Sequence, residues 1–317
     1  MQKILFPFRI ADDNNAAFCY AASFARKHGA KLTLMSPYTL PNLDDNISSK
    51  KLGELTRQKW LEALKEIHNI KGFYLANFAS TKGHFNLNID YKITLGNFHQ
   101  EVLSTLKNQV FDLVVLNWPQ LIYPDGKDRG SQIKQLLETS STPTLLVPEN
   151  IDPRGIHHIA FVTDLMVHKN DPALLQQTIA LAQLLDATVE FIHVSTDGTL
   201  LNIEENETLQ AIKKLVKTGE RYQLTVLKST DPVHAIRQHS IENEVGLLIA
   251  VKKQRNFLSN LFHHSLTGQL VNAVPFPVLI LKETNATNNQ VPWQLLAPWD
   301  LSKLPKGINL NTIMRNK

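Results

Sequence analysis

Gly246-Leu247-Leu248-Ile249-Ala250-Val251 is a run without a charged or amide side chain, and a near counterpart, Asp112-Leu113-Val114-Val115-Leu116, stands in the first half of the chain. A strand that is apolar at consecutive positions must be covered on both faces, which is the mark of a parallel sheet with helices on either side. In each half the run follows an amphipathic stretch, Phe98 to Gln109 and Val233 to Glu242. That stretch in turn follows a strand-like segment, Asn88 to Thr94 and Gln223 to Lys228. The two runs therefore hold the same place in an internal repeat.

Outward from the two runs the same order continues. Each half opens with a short apolar strand, Lys3 to Phe8 and His157 to Thr163. A polar cluster follows, Asp12-Asp13-Asn14-Asn15 and Asn170-Asp171-Pro172, whose side chains are expected to cap a helix. Apolar residues then recur at three-and-four spacing: Ala17, Tyr20, Ala21, Phe24 and Ala25 in the first copy, and Leu174, Ile179, Leu181, Ala182 and Leu185 in the second. Second strands are read at Leu32 to Ser36 and Val189 to Val194, and proline-led closing strands at Thr142 to Val147 and Phe276 to Leu281. The expectation is two tandem five-stranded parallel sheets of the doubly wound α/β class.

The polar, helix-breaking passage from Pro148 to Gly155 divides the chain into domains 1–149 and 155–283. Each has about 130–150 residues, enough for its own core. The remaining segment, 284–317, is Asn-rich and then aperiodic. Trp293, Trp299 and Leu295-Leu296 are costly to leave in water, so this tail is expected to dock on the body or on a partner.

Composition narrows the function. With 43% hydrophobic and 20% charged residues over 317 positions, disorder is excluded as the main state. The 33 Lys+Arg and 29 Asp+Glu leave a net charge of +4 without a long basic run, which argues against dedicated nucleic-acid binding. The single cysteine, Cys19, reads as a small core residue. Ile4-Leu5-Phe6-Pro7-Phe8 is too short for a signal segment, and no run approaches the ~20 apolar residues of a membrane span. No membrane association and a cytoplasmic location are the expectation.

Catalytic signatures are missing from the sequence: there is no G-x-S-x-G elbow, no G-x-x-x-x-G-K-[ST], no G-x-G-x-x-G and no H-E-x-x-H. Adjacent strand residues point to opposite faces, so His157 and His158 are not expected to chelate one ion. His234 and His239 lie off the spacing that shares a helix face. The histidines are read as structural or surface residues, with no metal site.

The opening Lys3-Ile4-Leu5-Phe6-Pro7, the helix end Arg26-Lys27-His28-Gly29-Ala30-Lys31-Leu32-Thr33-Leu34 and the paired closing strands resemble two tandem copies of the universal stress protein family, over residues 1 to about 283. The second copy adds the loop-to-helix passage Phe257 to Thr267. The resemblance implies a Rossmann-like fold and, in nucleotide-binding members, a G-x2-G-x9-G-[S/T] motif after the fourth strand. There the glycines let the backbone wrap phosphates and the hydroxyl caps a helix.

On that motif the first copy places Asn117, Gln120 and Gly130-Ser131, so only the last pair is kept. The second places Val251, Gln254, His264 and Ser265, with Thr267 just beyond. The aspartate that the family carries after the first strand is Arg9 in the first copy and is retained as Asp164 in the second. Gly130-Ser131 is equally an ordinary helix cap, and Asp164 equally a turn cap.

By this resemblance the expected function is non-catalytic and regulatory, in stress response, with at most a degenerate pocket for an adenine nucleotide (ATP or AMP) or another anion. The alternatives are an interaction scaffold with vestigial pockets, acting on an unknown protein partner, or a weak ATP hydrolase. An internal pseudo-dimer of the two copies is implied, and a homodimer is compatible with it.

Overall fold

The apolar runs form central strands of two parallel sheets. The computed structural model describes residues 3–10, 12–41, 47–78, 87–118, 135–137, 139–149, 151, 155–163, 171–195, 210, 212–214, 221–252 and 274–282. The chain divides into two compact units, Met1–Pro153 and Arg154–Lys317. The first holds β1 (Lys3–Pro7), α1 (Asn15–His28), β2 (Lys31–Tyr38), α2 (Ser49–Phe78), β3 (Ile89–Leu95), α3 (Phe98–Asn108), β4 (Leu113–Trp118) and β5 (Thr144–Pro148). The second holds β6 (His158–Val162), α4 (Asp171–Leu185), β7 (Thr188–Ser195), β8 (Tyr222–Lys228), α5 (Pro232–Glu242), β9 (Leu247–Lys252) and β10 (Val278–Lys282).

Strand order is β3-β2-β1-β4-β5 in the first unit and β8-β7-β6-β9-β10 in the second, with parallel pairing throughout each. This is the doubly wound, Rossmann-like α/β arrangement that the repeat predicts. The tail 284–317 lies outside the described residues.

Burial follows the residue pattern. All of β5 and the last four residues of β1 are buried. Phe6, fully buried, has its ring 5.9 Å from Phe8 and 5.8 Å from Phe18, and Phe18 meets Tyr74 edge-on at 5.8 Å. Tyr74 closes a stripe on α2 that runs Ala63, Ile67, Ile70, Tyr74, the three-and-four spacing of a helix pressed on a sheet. The α1 residues singled out from the sequence are all buried, and so are those of α4. Cys19 is buried among them, and burial pushes its thiol up to about 12, which keeps it protonated and unreactive.

Both first helices end in a left-handed residue. Gly29 (φ +59) donates its N–H back to the carbonyls of Ala25 and Arg26, and the Ala30 N–H reaches Ala25 O at 2.9 Å. The second unit makes the same turn with Asp186 (φ 55), whose carboxylate pairs with Arg221 at 2.7 Å. Space around Gly29 is open, so Gly29→Ala meets only the backbone penalty. It is expected to cost the first unit about 1 kcal/mol. Thermal unfolding checks this: a melting temperature unchanged within a degree would mean that the turn relaxes at no cost.

Candidate functional site

Strand order reverses between β1 and β4: the chain leaves β1 for β2 on one side, then returns with β4 on the other. In open α/β sheets a ligand lies beyond the carboxyl ends of the strands at this switch. In the first unit the switch is flanked by Phe8-Arg9 after β1 and by Asn117-Trp118 at the end of β4. The Arg9 guanidinium carbon lies 4.3 Å over the Phe98 ring, and a guanidinium nitrogen stands 3.6 Å from Asp12 Oδ2. A cation is thereby fixed at the edge by an aromatic face and a loop carboxylate.

Asn14 closes the β1–α1 loop, its Nδ2 donating to the carbonyls of Arg9 at 2.8 Å and Asp12 at 2.9 Å. Past β3, Gly96 (φ +153) turns the chain and donates its N–H to Tyr38 O at 2.8 Å. Asn97 then caps α3, its Oδ1 accepting from the His99 N–H at 3.0 Å.

This edge carries unmet hydrogen-bonding capacity. Asn14 Oδ1, Ser36 Oγ, Thr94 Oγ1, His99 Nε2, Asn117 Oδ1 and Trp118 Nε1 are all buried without a hydrogen-bond partner. Register sets Ser36 one residue past the Pro7–Met35 pair and Thr94 opposite Pro37, at the ends of β2 and β3. Each such atom costs roughly 1–3 kcal/mol when it is left unsatisfied. Buried polar atoms of this kind are few in native cores, and a concentration of them marks a place that takes a ligand or ordered solvent. The remaining capacity of Asn117 is spent locally: its Nδ2 donates to Glu149 Oε1 at 3.0 Å, while the Glu149 N–H donates to Trp118 O at 3.2 Å.

Of the site residues predicted from the sequence, Asn117 is the one that falls within the described residues. Gln120, Gly130, Ser131, Asp164, His264, Ser265 and Thr267 lie outside them. Asn117 is also a correction. It was expected in the loop after β4, whereas the strand continues through Asn117 and Trp118 because they pair with Val147 and Pro148 of β5. Val251, at the first glycine position of the second copy, is the strand residue that the sequence reading made it, paired with Leu281.

In the polar cluster before α1 the side chain that accepts from the helix is that of Asp13, whose Oδ1 takes the Asn15 N–H at 3.1 Å, while Asn14 at the N-cap folds back on the loop that precedes it. Phe98, Ser36 and Glu149 escaped the sequence reading, because only strand register and loop closure bring them to this edge.

Among the described residues, the corresponding edge of the second unit bonds to itself at several points. His193 follows the Val162–Ile192 pair, the position that Ser36 holds in the first unit. It is buried, and its Nδ1 faces Thr163 O at 3.2 Å. The Ser229 N–H donates to Ser195 O at 3.2 Å, and Asp231 Oδ1 caps α5 through the His234 N–H at 3.0 Å. Among the described residues, no group of three His, Cys, Asp or Glu side chains could hold a metal ion. Among the same residues, no helix is long and apolar enough to cross a membrane.

No family model and no curated protein matches the sequence. The fold matches solved structures. A universal stress protein from Archaeoglobus fulgidus DSM 4304 is similar with a TM-score of 0.63 and 15% identity, over 89% of this chain and 97% of that one. A functionally unknown protein from Pseudomonas aeruginosa PAO1 gives a TM-score of 0.58 and 14% identity, over 89% and 92%. The cytoplasmic domain of a prokaryotic cation chloride cotransporter gives 0.50 and 14%, over 90% and 98%. At these identities the likeness establishes the fold, which is that of the universal stress proteins.

Proposed function

We propose that the protein is a non-catalytic regulator of the universal stress type, whose first unit keeps a modified pocket for an adenine nucleotide, ATP or AMP, or a comparable anion. The observation that carries this reading is the unpartnered buried polar atoms of Asn14, Asn117 and Trp118 at the β1–β4 switch, beside an arginine held in place by Phe98. Asn117 and Glu149 alter the pocket. A side chain and a nearby carboxylate stand where a glycine would let backbone amides approach phosphate, so binding is expected to be modest, about 10 µM to 1 mM.

Isothermal titration of the nucleotide-stripped full chain with ATP, ADP and AMP, with and without magnesium, tests the reading. Asn117→Leu removes the amide while keeping the strand apolar, and it should weaken binding at least tenfold, about 1.4 kcal/mol. Asp164→Ala, in the other copy, should leave binding unchanged. An absence of heat with every nucleotide at millimolar concentration would overturn the pocket.

A second reading, an interaction scaffold with vestigial pockets, draws on two observations. Trp118 is buried at the site, and the edge of the second unit bonds largely to itself. The likeness to a cotransporter's cytoplasmic domain supplies a partner class for it, a membrane transport protein.

A further inference from the structure

At the amino edge of the second unit, away from the switch, the carboxylate of Glu190 is buried on β7 beneath α5. Three elements face it. From β8 the Thr225 hydroxyl donates to Oε1. From α5, His239 Nε2 lies 2.7 Å from the same oxygen. From β6, His158 Nε2 lies 3.4 Å from Oε2, an ion-pair distance. Among the described residues, these two imidazoles are the titratable groups that face Glu190.

The two rings differ in what surrounds their other nitrogen. His158 Nδ1 stands 2.9 Å from the backbone carbonyl of Asn243, the residue that ends α5. Both nitrogens of His158 thus face oxygens, Nδ1 at hydrogen-bond distance and Nε2 at ion-pair distance from an Oε2 that has no hydrogen bond of its own, and a neutral imidazole has only one N–H to give. His239 Nδ1 instead faces the Asn243 side-chain Nδ2, a donor, at 3.4 Å, and that amide also donates to His239 O at 2.8 Å. His239 thus has an oxygen before one ring nitrogen only, whereas His158 has an oxygen before both and fits as the imidazolium.

We propose that His158, Glu190 and the Asn243 carbonyl form a proton-operated clamp that holds the C-terminal end of α5 to the sheet of the second unit. It is closed when both His158 nitrogens carry protons and loosened when one is lost. The imidazolium bridges a buried anion to the carbonyl end of a helix, where the helix dipole also favours positive charge. When the proton leaves, a lone pair faces an oxygen at one of the two contacts, and the buried carboxylate loses the imidazolium that faces its Oε2, the oxygen with no hydrogen bond of its own.

The first unit carries no such device at this point of the fold. Register and helix position place Thr33, Lys92 and Thr105 there in place of Glu190, Thr225 and His239. Lys92 Nζ donates to Thr105 Oγ1 at 2.9 Å.

The direction of the response follows from the two groups. Glu190 and the Asn243 carbonyl hold His158 above its ordinary 6.5, so its contribution is complete below 6.5 and lost as pH rises through the folded value. Glu190 is lowered from 4.5 to about 2, so its contribution is complete above 4.5 and lost only towards pH 2. The clamp is closed from about 4.5 to 6.5 and opens on the alkaline side.

Histidine NMR and amide hydrogen exchange on the full chain, between pH 5.5 and 9, test the clamp. At pH 5.5 His158 should show two ring N–H groups. As pH rises, protection of the Asn243 to Gly246 amides, corrected for intrinsic exchange, should fall with the midpoint of the His158 titration. The expected fall is about tenfold for each unit by which folding raises that value. His158→Gln, which does not titrate, should flatten the dependence, while His239→Gln should retain it. A single ring N–H on His158 at pH 5.5 would overturn the clamp, even if the variants failed to fold. Protection that does not change with pH in the wild type, or a dependence that persists in His158→Gln, would do the same.

Discussion

Phe6→Ala is expected to lower the stability of the first unit by about 3–5 kcal/mol. Phe6 is completely buried near the carboxyl end of β1, and its ring packs against Phe8, just past the strand, and Phe18 on α1. Truncation removes the contact that joins β1 to the helix above it and leaves a cavity whose walls, Phe18 and Tyr74, are large, ring-shaped and slow to collapse. Phe6→Leu retains most of the volume and should cost under about 1.5 kcal/mol. Hydrogen exchange under native conditions is the measurement: the amides of β1 and β2 should lose protection in Phe6→Ala, and much less in Phe6→Leu. Equal losses in the two variants would show that the ring's volume is not what holds β1.

The fold was legible because its two signals are local. A strand apolar on both faces announces a covered parallel sheet, and the same order of segments appears twice. Side-chain capping before α1 was legible in the polar cluster, where Asp13 accepts from the Asn15 N–H; which residue would do it was not, because the loop from Arg9 to Asp12 offers two carbonyls that take the Asn14 side chain.

The candidate site was less legible, for a physical reason. Where β4 ends depends on how far β5 runs beside it, and that register is a contact between residues about thirty positions apart, not a property of Asn117. Glu190 did leave a local sign: an acid in Thr188-Val189-Glu190-Phe191-Ile192, a strand otherwise free of charge, is stable only if something inside the protein answers it. Its partners, at 158, 225 and 239, come from three other elements, and no spacing in the sequence connects them.

Glu190→Ala is expected to cost the second unit about 3–5 kcal/mol at pH 5.5, because it removes one partner of a buried ion pair and leaves the other. In the variant the donors of Thr225 and His239 lose their acceptor and the His158 imidazolium loses its counter-charge, the buried carboxylate that all three face. The loss belongs to the uncompensated groups that remain, so a variant that removes the charge on both sides should recover much of it. Glu190→Gln with His158→Leu keeps an oxygen for Thr225 and His239 while removing the carboxylate and the His158 ring that faces it. It is therefore expected to be more stable than Glu190→Ala by about 1–3 kcal/mol.

Acid separates the electrostatic part from packing. The depressed carboxylate contributes fully above 4.5 and gives up its contribution as pH falls to about 2, so the gap between wild type and Glu190→Ala should narrow across that interval. Urea denaturation at pH 5.5 and at pH 2.5, with unfolding of the second unit followed by hydrogen exchange in β7, measures the gap. A gap of the same size at both values would mean that Glu190 stabilises the unit through its volume, and that its charge contributes nothing.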